Sequence, residues 1–169
     1  MSLFNRRQII SALAVLLLGA CMFKPVYGPG EPALALSGKV LVADPTDKNS
    51  FDFFQRLSNR LGIPTVPIYR LNYGLSTSVA NVGISQANVL TRFNVLGTVS
   101  WSLLDLTGNQ IVASGNVNNF SSYSSTGSTV AELAAKEDAS LRLMRMLADQ
   151  VLLEMIAQSQ KLPKLQGKP

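Results

Sequence analysis

The hydrophobic pattern opens with an unbroken apolar run, Ile9 to Leu18 interrupted only by Ser11, which follows Arg6 and Arg7 and ends in the small residues Gly19 and Ala20. Ten helical residues rise roughly 15 Å, half of a bilayer's hydrocarbon core, so residues 1–20 read as an export signal and not as a membrane span. From Cys21 to about residue 35 prolines and glycines recur, which predicts an extended tether. Val40, Leu41 and Val42 then form a short apolar run suited to a buried strand, stopped by Asp44-Pro45. Phe51, Phe54, Leu57 and Leu61 recur at three- and four-residue steps. That spacing predicts a helix over 48–61, with Asp47 or Ser50 as its cap and Gly62 as its stop. Residues 67–84 have strand composition, with a break expected near Gly74, and Pro64 and Pro67 confine the start of this stretch to an edge or a strand beginning. A strict period of two marks a strand over 89–104, and Asp105 to Asn109 is turn chemistry. The alternation of Ile111, Ala113, Gly115 and Val117 returns as the second arm of a hairpin, with Gly97 and Gly115 leaving room for a helix to approach. The polar stretch 118–128 is expected as a loop. A helix over 130–158 follows, with Leu133, Leu141, Met144, Leu147, Val151 and Met155 on its apolar stripe.

Strand, helix, three strands, helix is the order of an α+β two-layer sandwich, with two helices packed on one face of a mostly antiparallel four-stranded sheet. The expected core is Phe51, Phe54, Leu57, Val99, Trp101, Leu103, Leu141, Met144, Leu147 and Val151. The domain organisation is then a signal peptide at 1–20, a tether at 21–35, one α+β domain at 36–160 and a flexible tail at 161–169.

Composition narrows the chemistry. The 169 residues include no histidine and one cysteine, which removes the His-dependent nucleophile arrangements, the commonest zinc ligand and any intramolecular disulfide. No catalytic residues, metal or cofactor are expected, because the aspartates fall at strand ends, helix starts and turns where local hydrogen bonding explains them. Residues 1–20 hold two of the 15 basic residues and none of the 10 acidic ones, so their removal lowers the formal charge from +5 to +3. Without a basic run or aromatic-basic interleaving, nucleic acid is not an expected partner.

Leu18-Gly19-Ala20-Cys21 resembles the bacterial lipoprotein box, which implies cleavage before Cys21, a diacylglycerol on its sulfur and an acylated amino group. Several acyl chains give durable attachment where one does not. Met22 is not the aspartate that marks inner-membrane retention in that class, so the outer membrane is the implied destination. The opening Cys21-Met22-Phe23-Lys24-Pro25-Val26-Tyr27-Gly28 resembles that of the LPS-assembly lipoproteins (LptE), with Met22 and Val26 as mild departures. Thr91 to Asn94, Asp105 to Gly108, Tyr123-Ser124, Asp138-Ala139 and Leu147 to Val151 follow in the order of that family. The resemblance implies a non-enzymatic lipoprotein on the periplasmic side of the outer membrane. Such a protein plugs the β-barrel LptD, assists its assembly and helps deliver lipopolysaccharide to the outer leaflet. For that role Arg70 and Arg92 are the candidate contacts to lipopolysaccharide phosphate, and Ser122, Tyr123 and Thr126 the candidate contacts to the barrel. An auxiliary lipid-binding lipoprotein of an ABC-type envelope transporter shares the lipoprotein box, size and layout, and is the alternative.

Overall fold

In this computed structural model the described residues are 36–84, 90–125 and 127–159. The lipidation site Cys21, the signal segment, the tether, Thr126 and the tail lie outside them. Strand β1, Val40–Val42, is followed by helix α1, Lys48–Leu61, then β2, Tyr69–Ile84, β3, Leu90–Asp105, β4, Gln110–Ser124, and helix α2, Thr129–Ser159. The sheet order is β1-β2-β3-β4, with β1 parallel to β2 and the remaining pairs antiparallel. Both helices lie on one face of this sheet, α2 over β3 and β4 and α1 beside it against β1 and the start of β2.

Helix α1 begins where its capping chemistry dictates. The Asp47 carboxylate accepts from the Ser50 backbone N–H at 2.8 Å and the Ser50 hydroxyl accepts from the Asp47 N–H at 2.8 Å, a reciprocal capping box. Its end is set by Gly62, whose φ of 76° only glycine adopts without strain and whose N–H closes the last turn on the Ser58 carbonyl. The buried stripe is Ser50, Phe53, Leu57 and Leu61, so the expected stripe is corrected by one step: Phe53 is buried while Phe51 is 50% exposed and Phe54 is partly buried. Three phenylalanines within four residues span most of the helix circumference, and the Phe53 ring packs on Tyr73 with centroids 4.9 Å apart. That partner, from β2, selects the face.

The sheet is more regular than expected. β2 runs through Gly74 without a break, and its only irregularities are register shifts around Gly83. β4 continues to Ser124, so the expected loop at 118–128 shortens to the few residues before α2. Seven further cross-strand partners, Asn118 to Ser124 against Thr98 to Arg92, supply the ladder bonds that the polar composition conceals.

Odd-numbered residues of β2 up to Asn81, of β3, and of β4 from Ala113 onward point to the helices, the register shifts near Gly83 and at Leu103/Leu104 breaking that parity in β2 and β4 beyond them. Leu71, Val95, Val99, Trp101, Leu103, Val117 and Tyr123 are buried there against Leu143, Met144, Leu147, Val151 and Met155 of α2. Leu141 and Leu133 do not belong to this stripe: Leu141 is half-buried and Leu133 is 60% exposed. Full burial on α2 begins at Ala139, and in the turns before it Ala135 is partly buried against the core. Gly97 and Gly115 face the helix layer together. A Cβ on Gly97 would stand 2.8 Å from the Leu147 Cδ1, which is the room that lets α2 settle onto β3. The two helices are tied by Arg56, which donates to both oxygens of Asp149 at 3.0 and 2.8 Å.

Candidate functional site

Even-numbered residues of the three long strands form the other face of the sheet, which no described element covers. Across β3 and β4 it carries Asn94, Thr98, Ser100 and Ser102 beside Ser114, Asn116, Asn118 and Ser122. β2 adds Asn72, Gly74, Ser76 and Ser78. These side chains bind one another across the strands. Ser100 donates to the Asn116 amide oxygen at 2.6 Å and Ser122 to that of Asn94 at 2.7 Å, which leaves the amide nitrogens free to donate outward. Leu96 and Phe120, paired in the register, make one apolar island on the face, with Phe120 55% exposed.

The only charges at even positions of β2, β3 and β4 are Arg70 and Arg92, and they do not come together. Arg70 pairs with Leu104, twelve residues along β3 from Arg92, so the two lie roughly 40 Å apart. Both are exposed. Arg70 sits at the end where the chain enters from residue 36, between Leu41 of β1 and Leu104 of β3 in the register and two residues from Ile68, whose carbonyl accepts from the Leu106 N–H of the β3–β4 turn.

Arg92 instead lines an open cleft of about 510 Å³ at the far end, with Ser122, Tyr123, Ser124, Ala135, Asp138 and Arg142. Arg142 pairs with Asp138 at 3.3 Å and donates to the Ser122 carbonyl at 3.2 Å, whereas Arg92 has no ion pair among the described residues. The cleft thus offers one uncommitted guanidinium, a second held by one carboxylate, and two serines, a set suited to a phosphate or another polyoxygenated anion. Arg142 was not legible as part of it from the sequence. Only its helical step from Asp138 hinted at a paired surface charge, and its approach to β4 follows from how α2 crosses the sheet.

Of the residues expected at a barrel interface, Ser122 is exposed on the uncovered face. Tyr123 points the other way, into the helix layer, where it stacks on Phe93 with centroids 5.1 Å apart. Its burial, with the nearby Glu132 carboxylate as a smaller contribution, raises the phenol pKa above its ordinary value. The residue of β4 that the sequence reading omitted is Phe120, whose even position sets it beside Ser122.

Among the described residues no group of three or more histidine, cysteine, aspartate or glutamate side chains comes together. No described helix is long and apolar enough to cross a membrane.

No family profile and no curated protein matches the chain. Solved structures share its fold. A candidate lipoprotein from Caulobacter crescentus CB15 superposes with a TM-score of 0.64 at 20% identity, covering 83% of this chain and 100% of that one. Rare lipoprotein B from Shewanella oneidensis gives 0.58 at 12% identity over 73% of this chain and 96% of its own. An uncharacterized lipoprotein B from Nitrosomonas europaea gives 0.58 at 16% identity over 82% and 92%.

Proposed function

We propose that this chain is a lipid-anchored lipoprotein of the outer membrane that partners and plugs an LptD-type β-barrel, supports its assembly and assists delivery of lipopolysaccharide to the outer leaflet, without performing chemistry. The observation that carries the reading is the uncovered sheet face: uncharged from Asn72 across to Ser122, hydroxyl- and amide-rich, and bounded at its ends by Arg70 and Arg92. A protein inserted in a barrel lumen must satisfy polar groups there without stranding buried charge, which costs several kcal/mol per ion, and neutral hydrogen-bonding side chains do this. The shared fold with lipoproteins agrees with the lipoprotein box at Leu18 to Cys21.

The anion cleft lies at the end of the domain opposite to the one where the described chain begins at Leu36. Fifteen residue steps lead from Cys21 to Leu36, a reach of at most roughly 50 Å, and the chain enters at the Arg70 end. A domain held to the membrane by that tether can direct the Arg92 cleft some distance away from the anchoring leaflet, where the phosphates of lipopolysaccharide are the anions to be met.

Photo-crosslinkers at Ser122 and Phe120 test the reading. One large outer-membrane protein should be captured, and depletion of the lipoprotein should lower both the mature barrel and surface lipopolysaccharide. Capture of an inner-membrane permease alone, with normal surface lipopolysaccharide, would instead assign the chain to an envelope transporter.

A further inference from the structure

The two edges of the sheet are treated differently. In β2 the Tyr69 N–H donates to the Lys39 carbonyl and the Leu71 carbonyl accepts from the Ala43 N–H, so odd residues of β2 direct their main-chain groups toward β1 and even residues toward β3. The register from Tyr69 to Asn81 is unbroken, so the same parity holds beyond Leu71, where β1 ends. Tyr73, Leu75, Thr77 and Val79 therefore turn their N–H and C=O groups to an edge on which no described residue bonds to them.

At the opposite edge the even residues of β4 face outward, and side chains intercept three of their main-chain groups, spread along the strand. Gln158 donates to the Ser114 carbonyl at 3.1 Å, Arg142 to the Ser122 carbonyl at 3.2 Å, and the Phe120 N–H is taken by the Asn119 amide oxygen at 2.8 Å. Proteins blunt a free edge with charge, proline or covering groups, because an open one templates another strand. β4 is blunted by covering groups. β2 from Leu71 to Ile84 carries neither a charge nor a proline, and among the described residues no side chain covers the outward main-chain groups from Tyr73 to Val79.

The geometry points to the β2 edge at Tyr73 to Val79 as a strand-addition site, which accepts an extended, uncharged segment of a protein partner as a fifth strand. On the helix side the incoming strand meets half-buried Leu75 and Val79, which is 45% exposed, and on the other side Ser76 and Ser78, so its own side chains alternate apolar and neutral-polar. The inference rests on the reading above for the partner's identity. Because the wall strands of a closed barrel are already paired on both sides, the donor is a loop or an extension of the barrel chain that enters the lumen.

Proline scanning separates the edge from the rest of the surface. Thr77→Pro removes an N–H that faces outward, which an edge strand tolerates, whereas Ser76→Pro removes one that bonds β3 and should lower the unfolding midpoint. In the full lipidated chain, Thr77→Pro should keep the urea midpoint near wild type, while co-purification of the barrel falls about tenfold or more as a main-chain bond and its neighbours are lost. Thr77→Lys, which retains the backbone donor but adds a charge of the kind that guards edges, should weaken capture in the same direction and serves if the proline variant does not fold. A photo-crosslinker at Thr77 should reach the same barrel. Unchanged barrel recovery with both variants, while crosslinks from Ser122 and Phe120 persist, would overturn the edge site and leave the functional reading standing. A Thr77-to-Thr77 crosslink in a dimer of the isolated chain would assign the edge to a second copy and overturn it too. Failure of the wild-type chain to capture any barrel would remove the functional reading and this inference together.

Discussion

Replacing Gly115 by alanine puts the helix–sheet contact under direct strain. A Cβ at this position would stand 2.6 Å from the Glu154 Oε2 and 2.9 Å from the Trp101 Nε1, the two atoms that share a hydrogen bond at 3.1 Å. Since a methyl group needs about 3.5 Å, the carboxylate must retreat by close to 1 Å or the buried indole must tilt, and either movement breaks the bond. An indole N–H left without its acceptor costs roughly 1–3 kcal/mol, and crowding beside the rigid ring adds to that. Opposing it, alanine in a strand gains roughly 0.5–1 kcal/mol over glycine through the unfolded chain. The balance is a net destabilisation of about 2 kcal/mol, equivalent to roughly 5–10 °C in Tm for a domain of this size. Urea unfolding followed by the emission of Trp101, the single tryptophan, reads both the midpoint and the local environment of the bond. The midpoint should fall by about 1 M at constant slope. Glu154→Gln, which keeps an acceptor oxygen, should cost less than about 1 kcal/mol. A Gly115→Ala protein as stable as wild type, with unshifted emission, would refute the close approach of α2 to β4.

Leu147→Ala, at a fully buried position against Gly97, should cost roughly 2–5 kcal/mol by calorimetry. Asp149→Asn weakens the bidentate tie to Arg56, but both side chains are about one-third exposed, so a loss of only about 1 kcal/mol is expected in denaturant titration. Burial first, and then Asp47 and Asp44, raises the Tyr73 phenol pKa above 10.0, so the folded state holds that proton more tightly than the unfolded chain does. Its contribution is complete below pH 10.0 and declines as pH rises through the folded value, and Tyr73→Phe should flatten the alkaline part of a stability-versus-pH curve. Cys21→Ala should abolish incorporation of radiolabelled fatty acid and release the chain from membranes; undiminished labelling would defeat the anchor assignment.

Elements bracketed by strong local chemistry were legible in the sequence. Asp47, Ser50 and Gly62 set both ends of α1, and the alternation from Phe93 to Leu103 identified β3 and its buried side. What was hidden depended on partners distant in the chain. The end of β4 looked like loop because Asn118 to Ser124 is polar on both faces, and only the facing residues of β3 make it a strand. The phase of α1, read from Phe51 and Phe54, was off because the partner that selects Phe53, Tyr73, lies on β2. Leu133 fits the helical period of α2, yet it is 60% exposed, while Ala135 in the same turn is the residue that packs against the core. At the site, Arg92 was legible as a strand cation, but its distance from Arg70 depends on the β2–β3 register, and Arg142 enters only through the path of α2.

The late position of α2 in the chain has a consequence for folding. β2, β3 and β4 form a meander of neighbouring strands that can zip up early, and β1 joins it after a single helical crossover. The apolar side of β3 and β4 has no lid until residues 139–156 arrive, because α1 reaches only β1 and the start of β2 and α2 supplies the rest of the facing core. A chain threaded N-terminus first therefore passes through a stage in which a hydrophobic sheet face and an unguarded edge are exposed together, the combination most prone to aggregate. Holding that intermediate apart from its copies is work for a chaperone, and variants that slow the docking of α2 should depend on one more heavily than their equilibrium stability alone would indicate.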